Sequence, residues 1–222
     1  MTADVMTFWF RHGLVQPIGE RTGRGKHLQF AYTEANIAAI MLQLRDFGAN
    51  IDAMKSIAAI YRSAIRWAEE NNLSWMQAAA LSTYVNMLVA HGGVTLPSAS
   101  ISDFRDLRRA IEDFESSDLG KLLTDDLKEI AQREKFSGIW GNCETFVEIA
   151  IQPLRLEETP TTHFYRTPNG WKRHLAKAGQ FYARKDGVYA SIALDVLAIL
   201  HRVWAEPKTS EATLVTTSEP AR

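Results

Sequence analysis

Apolar residues recur at three- and four-residue intervals through most of the chain, the spacing of helices that each bury one face. Ala3–His12 lacks Gly and Pro and carries Val5, Phe8 and Trp9. Gly13 follows as a stop and Thr2 or Asp4 can cap the start, so a short first helix is predicted. Ile37, Ile40, Met41 and Leu44 mark the buried face of a second helix, opening at Thr33-Glu34-Ala35-Asn36 and ending at Phe47-Gly48. A third begins near Asn50 or Ile51. Its apolar positions Met54, Ile57, Ile60, Tyr61, Ile65 and Trp67 keep the period until Asn71-Asn72. Leu73–Ala90 is apolar enough to predict a mostly buried helix, and residues 138–151 and Val188–Trp204 predict two more.

Phe104, Leu107, Ile111 and Phe114 follow a three-four-three spacing, with Leu122, Leu123, Leu127 and Ile130 after them. This pattern suits either a dimerising coiled coil or one face of a helical bundle. Gly120 and the break at Ser116-Ser117-Asp118 favour two shorter bundle helices.

Two stretches leave the helical period. Residues 16–32, QPIGERTGRGKHLQFAY, combine Pro17 and three glycines with an extended aromatic end, which predicts a hairpin whose tip carries Arg21, Arg24, Lys26 and His27. Residues 163–187 alternate aromatic and basic side chains around turns at Pro168-Asn169-Gly170 and Lys185-Asp186-Gly187, predicting a second short β-hairpin. Gln152–Pro160 reads as a connector. Glu206–Arg222 reads as a disordered tail, being rich in Thr, Ser, Glu and Pro without an apolar period. No internal repeat is found.

With 222 residues, 46% of them apolar, the chain has ample material for a buried core. No apolar run reaches the roughly 18 residues of a membrane span, and Met1 does not open a signal-peptide pattern, so cytoplasmic localisation and no membrane partner are expected. The single cysteine, Cys143, can form neither an internal disulfide nor paired thiolate ligands, and it is expected to be a small buried helix residue. The net charge of −1 supplies no global attraction to nucleic acid, so any such affinity must come from local clusters.

In order, the N-terminal elements are a short helix, Gly-Leu-Val, a basic hairpin, Tyr-Thr-Glu, a helix, Phe-Gly-Ala-Asn and a helix. MTFWFRHGLVQP at 6–17, GRGKHLQFAYTEANI at 23–37 and LRDFGANIDAMKSIAAI at 44–60 together resemble the MerR family of bacterial transcriptional regulators. The resemblance implies a mainly α protein: an N-terminal winged helix-turn-helix over 1–72, then a helical effector or dimerisation region over 73–205 with a short β-hairpin, then the 206–222 tail. By the same resemblance Ala3–His12 is the recognition helix and the 18–31 hairpin the wing, with Tyr32 following it.

Double-stranded DNA is the implied partner, and the expected contacts are Thr7, Arg11, His12, Arg21, Arg24, Lys26, His27 and Tyr32. The wing agrees with elementary electrostatics, since a glycine-rich tip with two arginines and a lysine can approach phosphates closely and release counterions. Thr7 and Arg11, one helical turn apart, are the side chains available for base or phosphate contacts. Phe8, Trp9 and Phe10 are expected to pack in a core rather than to stack on bases.

Members of the family carry a further helix before the recognition helix. Without it Val5, Phe8 and Trp9 are expected to lose packing worth on the order of several kcal/mol. The resemblance therefore implies a start upstream of Met1, or another chain or segment over this surface. Thr7, Phe10 and Phe30 stand where the family has an arginine, an acid and an arginine, so base contacts do not carry over.

Arg166, Lys172, Arg173, Arg184 and Lys185, with His163 and His174, form a second basic, aromatic-laced stretch, readable as a nucleic-acid or anion site or as a solvated hairpin face. His91, His174 and Glu144 lack metal-ligand spacing, and no HExxH, GxSxG or phosphate-binding glycine loop is present, so no metal, cofactor or catalytic residue is assigned. The expected function is DNA-binding transcriptional regulation by a homodimer, with an unidentified small-molecule or protein effector; Trp75, Trp140, Trp171 and Trp204 are available as walls for an aromatic ligand. The alternatives are a protein-interaction module that keeps the winged-helix shape, and a small-molecule-binding domain with a regulatory winged helix.

Overall fold

A computed structural model describes residues 3–18, 29–90, 109, 111–134, 140–150, 161–176, 188 and 190–204. The chain is mainly helical with one small antiparallel sheet. In order the elements are α1 (Ala3–Arg11), α2 (Tyr32–Asp46), α3 (Ile51–Glu70), α4 (Trp75–Ala90), a short α5 (111–116), a 3-10 turn (Gly120–Leu122), α6 (Asp125–Glu134) and α7 (Trp140–Ala150). Strands β1 (Thr161–Thr167), β2 (Gly170–Ala176) and β3 (Ala190–Leu194) follow, then α8 (Val196–Trp204). The Gln152–Pro160 connector and the 206–222 tail lie outside the described residues.

Most helix ends follow from local chemistry. Gly13 adopts φ +70° just beyond α1, a left-handed conformation that glycine takes without a Cβ penalty. Asn50 caps α3 by accepting a 2.8 Å hydrogen bond from the Ala53 amide. Ser74 and Gln77 form a reciprocal box at the start of α4: Ser74 N–H donates to Gln77 Oε1 at 3.0 Å and the Gln77 amide to Ser74 Oγ at 3.3 Å.

The sheet has the order β2-β1-β3, with Phe164 opposite Arg173 on one side and Ile192 on the other. The turn predicted at Pro168-Asn169-Gly170 joins β1 to β2, as expected. Val188–Trp204, in contrast, is not one helix: residues 190–194 form β3, and α8 begins only after Asp195, whose Oδ1 accepts from the Ala198 amide at 2.8 Å. The β-hairpin is thus part of a three-stranded sheet.

One core runs through the described chain. Ile37, Ile40, Met41 and Leu44 of α2 meet Ile57 and Tyr61 of α3, Ile149 of α7, Phe164 of β1 and Leu200 of α8, all essentially without solvent exposure. Burying each such side chain contributes about 1.5–3 kcal/mol. Helix α3 packs against α2 on one side and against α7 and β2 on others, so the core continues across residue 72. Of the 104–130 pattern, Ile111, Phe114, Leu123 and Leu127 join the same core, while Phe104 and Leu107 lie outside the described residues. No helix among the described residues is long and apolar enough to cross a membrane.

Candidate nucleic-acid interface

Helix α1 divides sharply by burial. Trp9 is 1% exposed, and Leu14 and Val15 just beyond the helix are buried with it, while Val5 and Phe10 pack partly against the core. The expected loss of packing around Trp9 does not occur. Trp9 belongs to the same buried cluster as Leu14 and Val15 and the apolar faces of α2 and α3. Thr7, Phe8, Arg11 and His12 form the exposed face, with the Phe8 and His12 rings 4.2 Å apart. Phe8, 46% exposed, thus departs from the expectation that it packs in the core.

Beyond α1 the chain reaches an antiparallel bridge between Ile18 and Gln29, where the Ile18 amide donates to the Gln29 carbonyl at 2.7 Å. The bridge brings together the two residues that flank positions 19–28. Arg21, Arg24, Lys26 and His27 lie outside the described residues. Tyr32 opens α2 at 43% exposure, and partial burial raises its phenol above the ordinary value.

Behind α1 sits a clamp that sequence reasoning did not find. Arg62 Nε donates to Glu34 Oε1 at 2.8 Å and Nη2 to Glu34 Oε2 at 3.0 Å, a forked pair whose side chains are 14% and 10% exposed. The same guanidinium donates to the carbonyls of Leu14 at 2.8 Å and Gly13 at 3.2 Å, and Glu34 Oε2 also accepts from the Gln16 amide at 2.9 Å. One ion pair thereby fixes the turn after α1 to both α2 and α3. It borders a cleft of about 390 Å³ walled also by Pro17, Ile18, Ile65, Arg66 and Glu69. The available signal was Arg62's position within the helical period, four residues after Ala58 and three before Ile65.

A second buried polar cluster ties α3 to the C-terminal elements. Glu148 Oε2 accepts from Tyr61 at 2.8 Å and from Arg173 Nε at 3.0 Å, and its other oxygen accepts from Thr162. Burial opposes the charge on Arg173, but Glu148, with Tyr61 and Glu144 near it, more than offsets this and holds the guanidinium protonated. Arg173, with a side chain only 3% exposed, therefore does not belong to a solvent-facing basic patch. Arg166 and Lys172 are exposed, but the register pairs them with Trp171 and Tyr165, on opposite faces of the sheet. Arg184 and Lys185 lie outside the described residues.

Asn36, near the start of α2 as expected, also donates its amide to the Ile149 carbonyl at 2.7 Å and accepts from Trp204 Nε1 at 2.6 Å. Trp75 and Trp171 pack against the core. Cys143 is buried, donates to the Ala78 carbonyl at 3.0 Å, and burial pushes its thiol up to about 12. Among the described residues no group of three or more His, Cys, Asp and Glu side chains is placed to hold a metal ion. Comparison of the chain with models of known protein families, with curated proteins and with solved structures gave no match.

Proposed function

We propose that the protein is a DNA-binding transcriptional regulator whose N-terminal part is a MerR-like winged helix-turn-helix acting on double-stranded DNA. The observation that carries this reading is the outward face of α1. Thr7 and Arg11 on α1 and His12 just after it are exposed while Trp9 is buried, so a short helix presents polar and basic groups outward, the arrangement by which a recognition helix meets a major groove. The Ile18–Gln29 bridge supports it, because it brings together the two ends of the segment that carries Arg21, Arg24 and Lys26, seven residues after α1.

In this reading Arg21, Arg24 and Lys26 supply phosphate contacts, and the α7, α8 and sheet region carries dimerisation and response to an effector. The protein acts as a homodimer, since paired winged helices read two half-sites.

The test is binding of the full chain to mixed duplex DNA and to the region upstream of its own gene, across salt concentrations. Affinity should fall steeply with salt, and Arg21→Ala with Arg24→Ala should weaken binding to all sequences while lowering the salt slope by about two. Arg11→Ala should weaken binding with little change in thermal stability. Absence of duplex binding at low salt overturns the reading. It would favour a protein-interaction module, which the exposed Phe8, Ile18 and Phe47 side chains would suit.

A further inference from the structure

The geometry points to Arg62 and Glu34 as positioning residues for DNA binding, fixing the angle of α1 through the turn that follows it; this rests on the DNA-binding reading above.

The case begins with how α1 is held. Gly13, at φ +70°, is a joint that the backbone can bend with little steric resistance, and it separates the exposed face of α1 from the bridge at Ile18. Trp9 anchors the helix, with Val5 and Phe10 packing partly against the core, but these apolar contacts come from the helix itself and do not hold the turn that follows it. The second anchor is polar. Arg62 takes up the Gly13 and Leu14 carbonyls, and Glu34 takes up the Gln16 amide, so both the acceptors and the next donor of the turn are held by one ion pair. Arg62 lies on α3 and Glu34 in the first turn of α2, and the clamp spans three elements that meet nowhere else through polar side chains among the bonds described for this turn.

The chemistry of the clamp demands these residue types. Four donated bonds from Nε, Nη1 and Nη2 use the planar fork of arginine, and a lysine ammonium cannot reproduce two parallel bonds to a carboxylate while reaching two carbonyls. Both Glu34 oxygens accept: Oε1 from Arg62 Nε, Oε2 from Arg62 Nη2 and the Gln16 amide. Glu34→Gln, although nearly the same shape, therefore turns an NH₂ group against at least one donor whichever way the amide is oriented. Arg66, one turn further along α3 on the wall of the same cleft, is exposed and serves as a control position.

The experiment uses the full chain and a duplex that the wild type binds. Glu34→Gln, Arg62→Lys, Arg62→Met and Arg66→Met are compared at a temperature where circular dichroism shows each folded. Glu34→Gln stands in if Arg62→Met fails to fold. Duplex affinity should drop about tenfold or more for Glu34→Gln and for both Arg62 variants, the scale of losing one or two contacts from the helix. The salt slope should stay within about one of wild type, because the wing's phosphate contacts remain.

Amide exchange at Gln16 should accelerate in the same variants while exchange in α7 stays unchanged, which a general loss of stability would not produce. Wild-type affinity in folded Glu34→Gln, or full rescue by Arg62→Lys, overturns the positioning role. Failure of the wild type to bind any duplex overturns the DNA-binding reading instead.

Discussion

Tyr61 donates its phenolic hydrogen to Glu148 Oε2 across 2.8 Å of buried space, joining the middle of α3 to the last turn of α7. Glu148 also holds Arg173 of β2 and Thr162 of β1, so one carboxylate gathers four elements. Burial, reinforced by the Glu148 charge, raises the Tyr61 phenol well above its ordinary value, which keeps it a donor at any physiological pH.

Tyr61→Phe should cost about 1.5–3 kcal/mol, the worth of a hydrogen bond to a charged partner. Glu148→Gln should cost more, about 3–5 kcal/mol, because among the described residues it leaves the buried Arg173 charge with Glu144, 3.9 Å away, as its one remaining ion-pair partner. Urea unfolding of the two variants orders these effects. A Glu148→Gln protein as stable as wild type would mean that Glu144 alone neutralises Arg173.

Gly120 is required by space rather than by backbone angle. A Cβ at this position would lie 1.9 Å from the Phe114 carbonyl oxygen and 2.8 Å from the Glu115 Cα, and both are backbone atoms that cannot swing aside. Gly120→Ala should force the turn after α5 open and cost about 1–3 kcal/mol, like other overpacking changes. In a chain of this length that corresponds to a fall in melting temperature of about 2–4 °C per kcal/mol, readable by calorimetry. An unchanged melting temperature would show that the turn opens freely.

α1, with its Gly13 stop, and α3, between Asn50 and Asn71-Asn72, were legible because each signal lies within one turn of what it controls. β3 was hidden because Ala190, Ser191 and Ala193 give a weak alternation that merges into the apolar run of α8. Asp195, the cap that separates the two, was the overlooked mark. The clamp and the Glu148 cluster were out of reach for another reason. Their partners are 28 residues apart for Arg62 and Glu34 and 87 for Tyr61 and Glu148, and no local pattern reports such pairings. Arg173 accordingly read as one more basic residue of a patch, although its register beside Phe164 turns it inward.

Alkaline pH should destabilise the protein through its buried acids. The Cys143 thiol ionises near 9 when exposed but is pushed up to about 12 in the fold. The unfolded chain therefore releases this proton first, so stability is fully present below pH 9 and falls as the pH rises from there towards 12. Melting temperatures measured from pH 8 to 11 should decline for the wild type, and Cys143→Ala should flatten part of that decline despite lowering stability at pH 8. The native thiol should also resist disulfide reagents at neutral pH, reacting fully only after denaturation. Rapid reaction in the native state would contradict its burial.

Phe8 and Trp9 are neighbours in sequence with opposite fates, and this pair tests how α1 is built. Trp9 is 1% exposed and lies in the common core, whereas Phe8 is 46% exposed and rests on the His12 ring. Trp9→Ala should cost about 3–5 kcal/mol, the scale of removing a fully buried large aromatic side chain from the common core. Phe8→Ala should change stability by no more than about 0.5 kcal/mol, as expected for a surface position. Chemical denaturation of both variants measures the contrast. Equal, small losses would mean that α1 sits loosely on the core and cannot present a fixed face, and the recognition role assigned to Thr7 and Arg11 would fall with it.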